Sequence, residues 1–461
     1  MLMIREITAA AVRQPEFSLE ALARVVTPAA VEAVIDECGV RERRTRKLPA
    51  AVTIFFGMAM NLYAHVGLGQ VFAHLVSGLR WLWPHPDAWR VSVGALCHAR
   101  ARLGARPLVA LFKRVCRPLA TPATPGAFRF GLRLMALDGT KWNAPDTPAN
   151  ERAFGRPRAS RGTSAWPQVQ VVALSECGTH AIVDAGVWRH DADERAAARR
   201  LLRSVGPGVL VTWDRGLHSF DLVGAARARG AHGLGRLPAG VKPEVVESLR
   251  DGTQLVRLRP ADRQRRRAGE RVLVRLIGYT LDDPTRPGHR EEHRLITSLL
   301  DPRAAPATAL VLAYHARWQE EVGFDELETH QRPPRPLRSQ TPGGVIQEVY
   351  GLLLAHYVVR AVMVDAAAAA GLPPTRLSFL ATLRIIRVTL PEFHRTAPAD
   401  HPRLYRQLLA DVAAHPLPPR RNRSNPRVVK RKMSNFGVKC AQHRRWPQPT
   451  KAFRDAVVLA K

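Results

Sequence analysis

The chain has 461 residues, 46% of them hydrophobic, and is therefore long enough for two or three domains with buried cores. Its 70 Lys and Arg residues against 39 Asp and Glu residues give a formal net charge of +31, which favours a polyanionic partner such as nucleic acid. The sequence shows neither the basic start of a signal peptide nor an early apolar run long enough to span a bilayer, so we expect a cytoplasmic, nucleoid-associated protein with no membrane role.

The first region of the chain, from Ser18 to Leu119, has a helical pattern, because apolar residues recur three and four positions apart and prolines separate the runs. Within it, Ser92 can cap a helix that places His98, Arg100 and Arg102 on its outer surface. This helix can read DNA or be an ordinary solvated basic helix, and its spacing does not distinguish the two.

A segment rich in Pro and Thr, from Thr121 to Gly126, precedes a change to strand periodicity. The apolar run from Leu132 to Leu137 predicts a strand that ends in Asp138. The later elements predicted in this region are strands over 169–174 and 180–188, a helix over 193–205 and a strand over 209–213. The last of these strands ends in Asp214, so two strands of one region each end in a carboxylate.

The second half of the chain begins with strand-like runs separated by polar loops and continues with helices. Pro306 opens a helix that we expect to run to Glu328, and two more helices are predicted over 345–370 and 377–388. The predicted organisation is an all-helical N-terminal domain (1–122), the first part of an α/β core (123–234), a β-rich insertion (235–300), the remainder of the core with a glutamate-bearing helix (301–395), and a basic C-terminal segment (396–461).

The two aspartates at predicted strand ends, Asp138 and Asp214, share one pattern. Largely apolar residues precede each of them and a glycine follows within two positions, which predicts carboxylates at the rim of a sheet. Carboxylates at the ends of adjacent strands can converge on divalent cations, and Mg²⁺ prefers such oxygen ligands. Asp-Gly is also a common turn, so either motif alone has that simpler interpretation.

A third acidic site is predicted on the helix that follows Pro306. At about 100° per residue, Tyr314, Arg317, Glu321 and Glu328 fall on one stripe of a continuous helix, while Glu320 points away. An amphipathic surface helix with charge pairs is the alternative interpretation.

Two neighbouring acidic residues of the same helix are interpreted differently. Asp325 shares the stripe and is the competing metal ligand, whereas Glu326 is interpreted as a solvated residue.

Taken in order, these motifs resemble the insertion-sequence 4 family of bacterial DDE transposases. The resemblance rests on Leu-Asp138-Gly-Thr, on Trp-Asp214-Arg-Gly and on the tyrosine, arginine and glutamate of the 314–328 helix. It extends to Pro167 and to the basic stretch from Asn425 to Lys432, so it covers most of the chain.

The resemblance implies a ribonuclease-H-like α/β fold, with a mixed sheet, flanking helices and a β-rich insertion. By the same resemblance, Asp138, Asp214 and Glu321 are the catalytic triad, which holds two Mg²⁺ or Mn²⁺ ions. The implied activity is metal-dependent cleavage at the ends of an insertion sequence, followed by transfer of the freed 3′-hydroxyl into target DNA. Tyr314 and Arg317 match the positions that hold DNA phosphates.

The expected partner is double-stranded DNA, both as terminal inverted repeats and as target. We expect the N-terminal domain to bind the DNA ends and the protein to act as a homodimer on DNA. Lys141, Arg215 and the basic C-terminal segment are candidate backbone contacts, although each is equally compatible with a solvated surface.

The chain departs from the family pattern at Glu328, where the family signature has a lysine, and its insertion contains no Trp of the kind that some relatives use to stabilise a hairpin intermediate. Two alternatives therefore stand beside the transposase: a catalytically inactive, transposase-derived DNA-binding protein, and a host nuclease of the same fold that cuts without joining.

Overall fold

The computed structural model describes residues 25–44, 46–77, 91–159, 162–286, 288–393, 395–418, 426, 428, 429 and 437–460, with the side chains of 76, 77, 159, 318–321 and 398 excepted. The helices are α1 (Pro28–Glu37), α2 (Ala50–Leu62), α3 (Leu68–Ser77), α4 (Val93–Leu103), α5 (Arg106–Val115), α6 (Pro148–Phe154), α7 (Glu194–Leu201), α8 (Phe220–Ala228), α9 (Arg263–Arg267), α10 (Ala307–His315), α11 (Trp318–Asp325), α12 (Pro342–Ala370), α13 (Phe379–Phe393), α14 (His401–Ala413) and α15 (Phe453–Ala456). The strands are β1 (Phe128–Arg129), β2 (Leu132–Asn143), β3 (Arg158–Ala159), β4 (Gly162–Thr163), β5 (Gln168–Glu176), β6 (Ile182–Arg189), β7 (Val209–Trp213), β8 (His232–Arg236), β9 (Glu244–Ser248), β10 (Gln254–Leu258), β11 (Val272–Leu281), β12 (His293–Thr297), β13 (Val428–Val429), β14 (Gly437–Val438) and β15 (Val457–Leu459).

The chain packs into two compact units. The first contains the described residues of Met1–Phe128, Arg133–Ser204 and Trp318–Leu417, and the second those of Arg129–Leu132, Val205–Arg317 and Pro418–Lys461. The assignment of the five predicted ranges to DNA binding and catalysis stays a prediction. The two compact units do not follow the bounds of these ranges, because helices from the first and fourth ranges share one hydrophobic core.

The first unit contains an antiparallel sheet in the order β6–β5–β2. Its central strand, β5, is buried at every position after Gln168, which is typical of a strand covered on both faces. The prediction that the first strand ends in Asp138 is wrong. Strand β2 continues to Asn143, because the polar residues after Asp138 pair in register with β5, from Gly139 opposite Val172 to Asn143 opposite Gln168.

Helix α12 is the centre of the helical layer in the first unit. It is long and apolar enough to cross a membrane by length and composition alone, but 78% of its apolar stretch is buried inside the protein, as expected of a core helix. It packs closely against α2, since a Cβ on Gly351 would lie only 2.4 Å from the carbonyl oxygen of Gly57. The absence of side chains at this crossing lets the two backbones approach.

Helix α4 is capped as predicted, with the Ser92 hydroxyl accepting from the N–H of Ala95 at 3.1 Å. The prediction that Arg100 lies on its outer surface is wrong, because this residue is only 8% exposed. Its guanidinium donates to Gln347 Oε1 at 2.7 Å and to Ser339 Oγ at 2.9 Å, which ties α4 to the start of α12. Arg100 is thus a packing residue of the unit.

The second unit is a mixed α/β structure. Strands β7 and β8 are parallel, and the sheet continues through β12, β11, β10 and β9 in antiparallel order. The predicted strand over 209–213 is confirmed at its bounds. The C-terminal strand β15 pairs with β11, so the end of the chain completes this unit.

The prediction of one helix from Pro306 to Glu328 is wrong. Helix α10 ends at His315, and the N–H of Arg317 bonds to the carbonyl of Tyr314, three residues back, so the helix tightens into a turn. Helix α11 then leads into a π-helix over Glu326–Gln331. The single stripe inferred from a period of 3.6 residues therefore does not exist along this segment.

Candidate active site

In the second unit, Asp214 lies directly after β7, as predicted. Its Oδ1 accepts a hydrogen bond from the N–H of Leu217 at 2.9 Å, so the loop after the strand orients the carboxylate. Arg215, the next residue, is exposed. The local sequence explains this geometry, because an apolar strand followed by Asp-Arg-Gly ends the sheet and turns the backbone back over its last residue.

Trp213, which is 1% exposed, fixes β7 against its parallel neighbour β8. A Cβ on Gly233 or on Gly235 would lie 2.6 or 2.2 Å from the indole, so the ring lies over a glycine-lined strand. Trp213 is paired with Gly235 in register, which places Arg236 beside Asp214 at the carboxyl ends of the two strands.

Arg236 is a functional candidate that the sequence reasoning missed. Its guanidinium contacts Nδ1 of His293 at 2.9 Å and is close enough to Tyr314 to lower the pKa of that phenol. The sequence contains a signal for it, because the strand that ends in Gly-Leu-Gly-Arg follows β7 and α8 as the last part of a β-α-β unit. The two parallel strands of such a unit end at the same edge of the sheet, which carries Asp214.

Tyr314 and Arg317 lie together in the second unit. Tyr314 is 8% exposed and Arg317 is 7% exposed, and the guanidinium carbon of Arg317 is 5.7 Å from the centre of the tyrosine ring. Burial raises the pKa of Tyr314, and the carboxylate of Asp214 acts in the same direction, against the two arginines nearby. The hydroxyl therefore stays protonated at neutral pH and can donate to a phosphate oxygen.

Asp138, the other predicted aspartate, belongs to the first unit and lies in the middle of β2. Its Oδ1 accepts from the N–H of Gly139 at 2.8 Å. Because side chains alternate along a strand, Asp138 shares one face of β2 with Thr140 and Trp142, while Lys141 lies on the opposite face. Lys141 is exposed there.

Glu328 contacts the same face of β2 as Asp138. Its Oε1 accepts from Thr140 Oγ1 at 2.5 Å and from Trp142 Nε1 at 2.9 Å. The guanidinium of Arg332 lies 5.5 Å from the centre of the Trp142 ring, beside this carboxylate. The glutamate that replaces the family lysine thus fastens the π-helix to the strand that carries Asp138.

The other acidic residues of the segment have different surroundings. Glu321 has its backbone in α11, while its side chain and that of Glu320 lie outside the described part of the structure. Asp325 is solvent-facing and accepts from Thr329 Oγ1 at 2.5 Å. The interpretation of Glu326 as solvated is wrong, because its exposure is 4% and the π-helix turns it inward.

The donor groups in both units fit divalent cations, because Asp138 and Asp214 each offer a carboxylate oriented by a backbone N–H. Among the side chains that the structure describes, which exclude that of Glu321, no three carboxylate, imidazole or thiol groups form a metal-binding cluster. The convergence of the predicted triad stays a prediction, with two of its residues in the first unit and one in the second.

Comparison with known proteins identifies two matching families along the chain. Residues 16–113 match the insertion element 4 transposase N-terminal family, and residues 129–358 match the transposase DDE domain. The transposase InsG of insertion sequence element IS4 from Escherichia coli K12 is 30% identical over 419 residues, which are 89% of this chain and 92% of that protein.

Two further similarities are more distant. The putative transposase InsZ of Escherichia coli K12 is 28% identical over 162 residues, which are 33% of this chain and 52% of that protein. A cryo-EM structure of the piggyBac transposase synaptic complex with hairpin DNA aligns with a TM-score of 0.40 and 13% identity, over 87% of this chain and 85% of that chain.

Replacement of Glu328 by Lys is expected to destabilise the first unit. A lysine cannot accept the bonds from the half-buried Thr140 and the buried Trp142, and leaving a buried donor unpaired costs about 1–3 kcal/mol. Glu328→Gln, which keeps one acceptor oxygen, should lose less. Urea unfolding of the three proteins measures the difference, and a Glu328→Lys variant as stable as the parent chain would contradict this role.

Proposed function

The chain belongs to the insertion-sequence 4 family of DDE transposases, and we propose that Asp138, Asp214 and Glu321 are the carboxylates with which it cuts and joins DNA. As a member of that family it has a ribonuclease-H-like catalytic fold and depends on divalent metal ions. It binds DNA, cleaves it at the ends of an insertion sequence and transfers the 3′-hydroxyl into target DNA. We further propose that it acts in the cytoplasm, as suits a transposase with bacterial relatives.

The observation that carries the proposal is the group of residues around Asp214. A carboxylate oriented by a backbone N–H lies beside a buried tyrosine hydroxyl and two arginines, at the carboxyl ends of two parallel strands. Ligands bind at such strand ends in open α/β sheets. A negatively charged phosphodiester suits the arginines, and a metal ion suits the aspartate.

The proposed cofactor is a pair of Mg²⁺ or Mn²⁺ ions held by the three carboxylates. Such a pair, when bound, activates the attacking oxygen and stabilises the leaving one in phosphoryl transfer. Asp138 and Asp214 would each contribute oxygen ligands, and Glu321 would add the third carboxylate from α11. All of these ligands are of the hard type that both ions accept.

The proposed phosphate contacts come mainly from the second unit. Tyr314 would donate its hydroxyl and Arg317 its guanidinium to the DNA backbone near Asp214. Arg236 joins them because it lies at the same strand ends. Arg215 and Lys141 are exposed and available to more distant phosphates.

The helical part of the first unit offers a separate basic surface. A concave region of ≈ 390 Å³ lies between α2, α4 and the loop that precedes α2, and arginines of that loop line it. Arg41 is paired with Glu32 and Asp36, whereas Arg43, Arg44 and Arg46 have no ion-pair partner among the described residues. When such exposed cations bind DNA phosphates, condensed counterions leave the DNA, which favours DNA binding at this surface. We propose that the terminal repeats bind here.

The protein is further proposed to act as a homodimer on DNA, associated with the nucleoid. Joining requires two DNA ends to be held together, and two identical chains supply two identical sites. The net charge of +31 retains the protein near the chromosome by binding without sequence preference.

Replacement of Asp138 by Asn, Asp214 by Asn or Glu321 by Gln is expected to lower cleavage by at least roughly 100-fold, because each change removes one charged ligand from the metal site. Binding of a terminal-repeat duplex should change little. A gel that resolves nicks, hairpins and joined products, run with Mg²⁺ and with Mn²⁺, measures both steps. Asp411→Asn is the matched control, since that carboxylate accepts from Gln407 on the same helix, α14. Asp325→Asn tests the competing ligand, and a loss as large as that of Glu321→Gln would assign the third carboxylate to Asp325. Strand transfer by Asp138→Asn at the parent rate would defeat the assignment.

A variant with Arg43, Arg44 and Arg46 all changed to Ala is expected to bind the terminal repeat more weakly. Its salt dependence should fall by about one unit of slope for each phosphate that the loop no longer neutralises. Arg41→Ala, in the same loop but already paired, is the control. Fluorescence titrations at several salt concentrations give the slopes, and sedimentation of the same samples should find two chains per complex. Equal slopes for both variants would rule out this surface, and one chain per complex would rule out the dimer.

A further inference from the structure

A cluster of charged and polar side chains is buried inside the first unit, next to the helix that carries Glu321. Glu326 is 4% exposed, Arg360 1%, His180 3% and His356 0%. Glu326 is the first residue of the π-helix that follows α11. Arg360 and His356 lie on α12, and His180 lies just before β6. Three separate segments of the chain therefore meet at one carboxylate.

The carboxylate of Glu326 is bonded on both oxygens. Oε2 accepts from Arg360 Nε at 2.9 Å and from His356 Nε2 at 3.1 Å, and Oε1 accepts from Arg360 Nη2. The same Nη2 lies 2.6 Å from Nδ1 of His180. Because a guanidinium can only donate, Nδ1 of His180 is the acceptor in that contact. The four side chains thus form one connected network.

The pair is ionised inside the protein. Burial by itself would raise the pKa of Glu326, but the Arg360 guanidinium and the hydrogen bond from His356 hold the pKa of this carboxyl well below its usual range. Burial lowers the pKa of His356, so that imidazole is neutral at pH 7. The network therefore carries one negative and one positive charge at its centre.

Such a cluster is a poor way to gain stability. Taking two charges out of water offsets most of their attraction, and apolar residues of similar volume often stabilise a protein as much or more. Within the described residues, Arg360 Nη1 and His356 Nδ1 are buried without a hydrogen-bond partner, which adds a penalty. His180 also adopts a left-handed φ of 57°, which is unfavourable for a residue with a Cβ. The network instead restricts the orientation of the segments that it joins.

The geometric effect is on the rotation of α11. Glu326 follows Glu321 by five residues of continuous helical backbone, which is about 7.5 Å of rise. A slip by one residue would turn the helix by about 100° and present an aspartate or a leucine to Arg360 instead. The leucine cannot accept a hydrogen bond, and the aspartate side chain is one methylene shorter, so the observed rotation is the one that satisfies the buried guanidinium on both carboxylate oxygens.

We propose that Glu326 and Arg360 are positioning residues, which fix the rotation of α11 and thereby the direction in which Glu321 points. The proposal rests on the proposed role of Glu321 as a metal ligand. Neither residue contacts DNA in this scheme, and both act through the helix. A metal ligand that is misplaced by a small rotation lowers the rate of the chemical step without changing the surfaces that bind DNA.

The test removes both charges together, in the variant E326L/R360M. The paired change leaves no unpaired buried charge, although His180 and His356 each lose a hydrogen-bond partner. Urea unfolding should therefore show a smaller loss of stability than for either single change. Terminal-repeat binding should stay within a factor of about three, while the single-turnover cleavage rate falls roughly 10- to 100-fold. Cleavage at the parent rate by this folded variant would overturn the proposal.

Two companion variants make the result specific. D184L/R203M removes another ion pair of the same unit, in which Arg203 Nη2 lies 2.7 Å from Asp184 Oδ1, and it should cleave at the parent rate. An equal loss of cleavage in this control would also overturn the proposal. E321Q is run beside them, because full cleavage by E321Q would remove the role of Glu321 itself, a failure that is distinct from a failure of the network.

If E326L/R360M does not fold, Glu326→Asp decides the question. Its carboxylate keeps the charge that Arg360 needs but is one methylene shorter, so pairing with the guanidinium requires the helix to shift or rotate. A several-fold lower cleavage rate with unchanged DNA binding supports a positioning role. A parent-like cleavage rate in that variant assigns the cluster to stability alone.

Discussion

Carboxylates that bind the same cations repel one another until the cations arrive, so the protein must hold each of them by other contacts. In the second unit, the glycine-lined strand under Trp213 and the N–H of Leu217 fix Asp214. In the first unit, β2 pairs with β5 on both sides of Asp138. Both aspartates therefore depend on backbone and packing contacts that exist without any metal, and the sheets around them supply those contacts.

The chain uses charge in two different environments. Inside the first unit, both carboxylate oxygens of Glu326 accept hydrogen bonds from Arg360, and one of them also accepts from His356. These bonds restrict the orientation of the π-helix. On the surface, exposed arginines such as Arg43, Arg44 and Arg46 contribute to the net charge of +31, which attracts a polyanion. Buried charge sets geometry here, and exposed charge sets affinity for DNA.

The sequence predicts those features that local chemistry decides. The strand before Asp214 and the helix capped by Ser92 follow from apolar runs and a capping hydroxyl, and both are confirmed. Features that depend on distant partners were missed, because Arg100 is buried by a glutamine 247 residues away and the end of β2 is set by pairing with β5. Glu326 was misjudged because a regular α-helical period does not describe a π-helix. Arg236 was missed because its position beside Asp214 depends on the parallel pairing of β7 and β8.

The proposed chemistry requires all three carboxylates to coordinate the same cations next to a DNA end. Fe²⁺ bound at the metal site of the protein–DNA complex can report their positions, because the hydroxyl radicals that it produces cut the polypeptide backbone next to the iron. A shared metal site predicts cuts near Asp138, Asp214 and Glu321 that disappear in excess Mg²⁺. Cuts confined to other segments, or cuts at these positions that Mg²⁺ leaves unchanged, would contradict it.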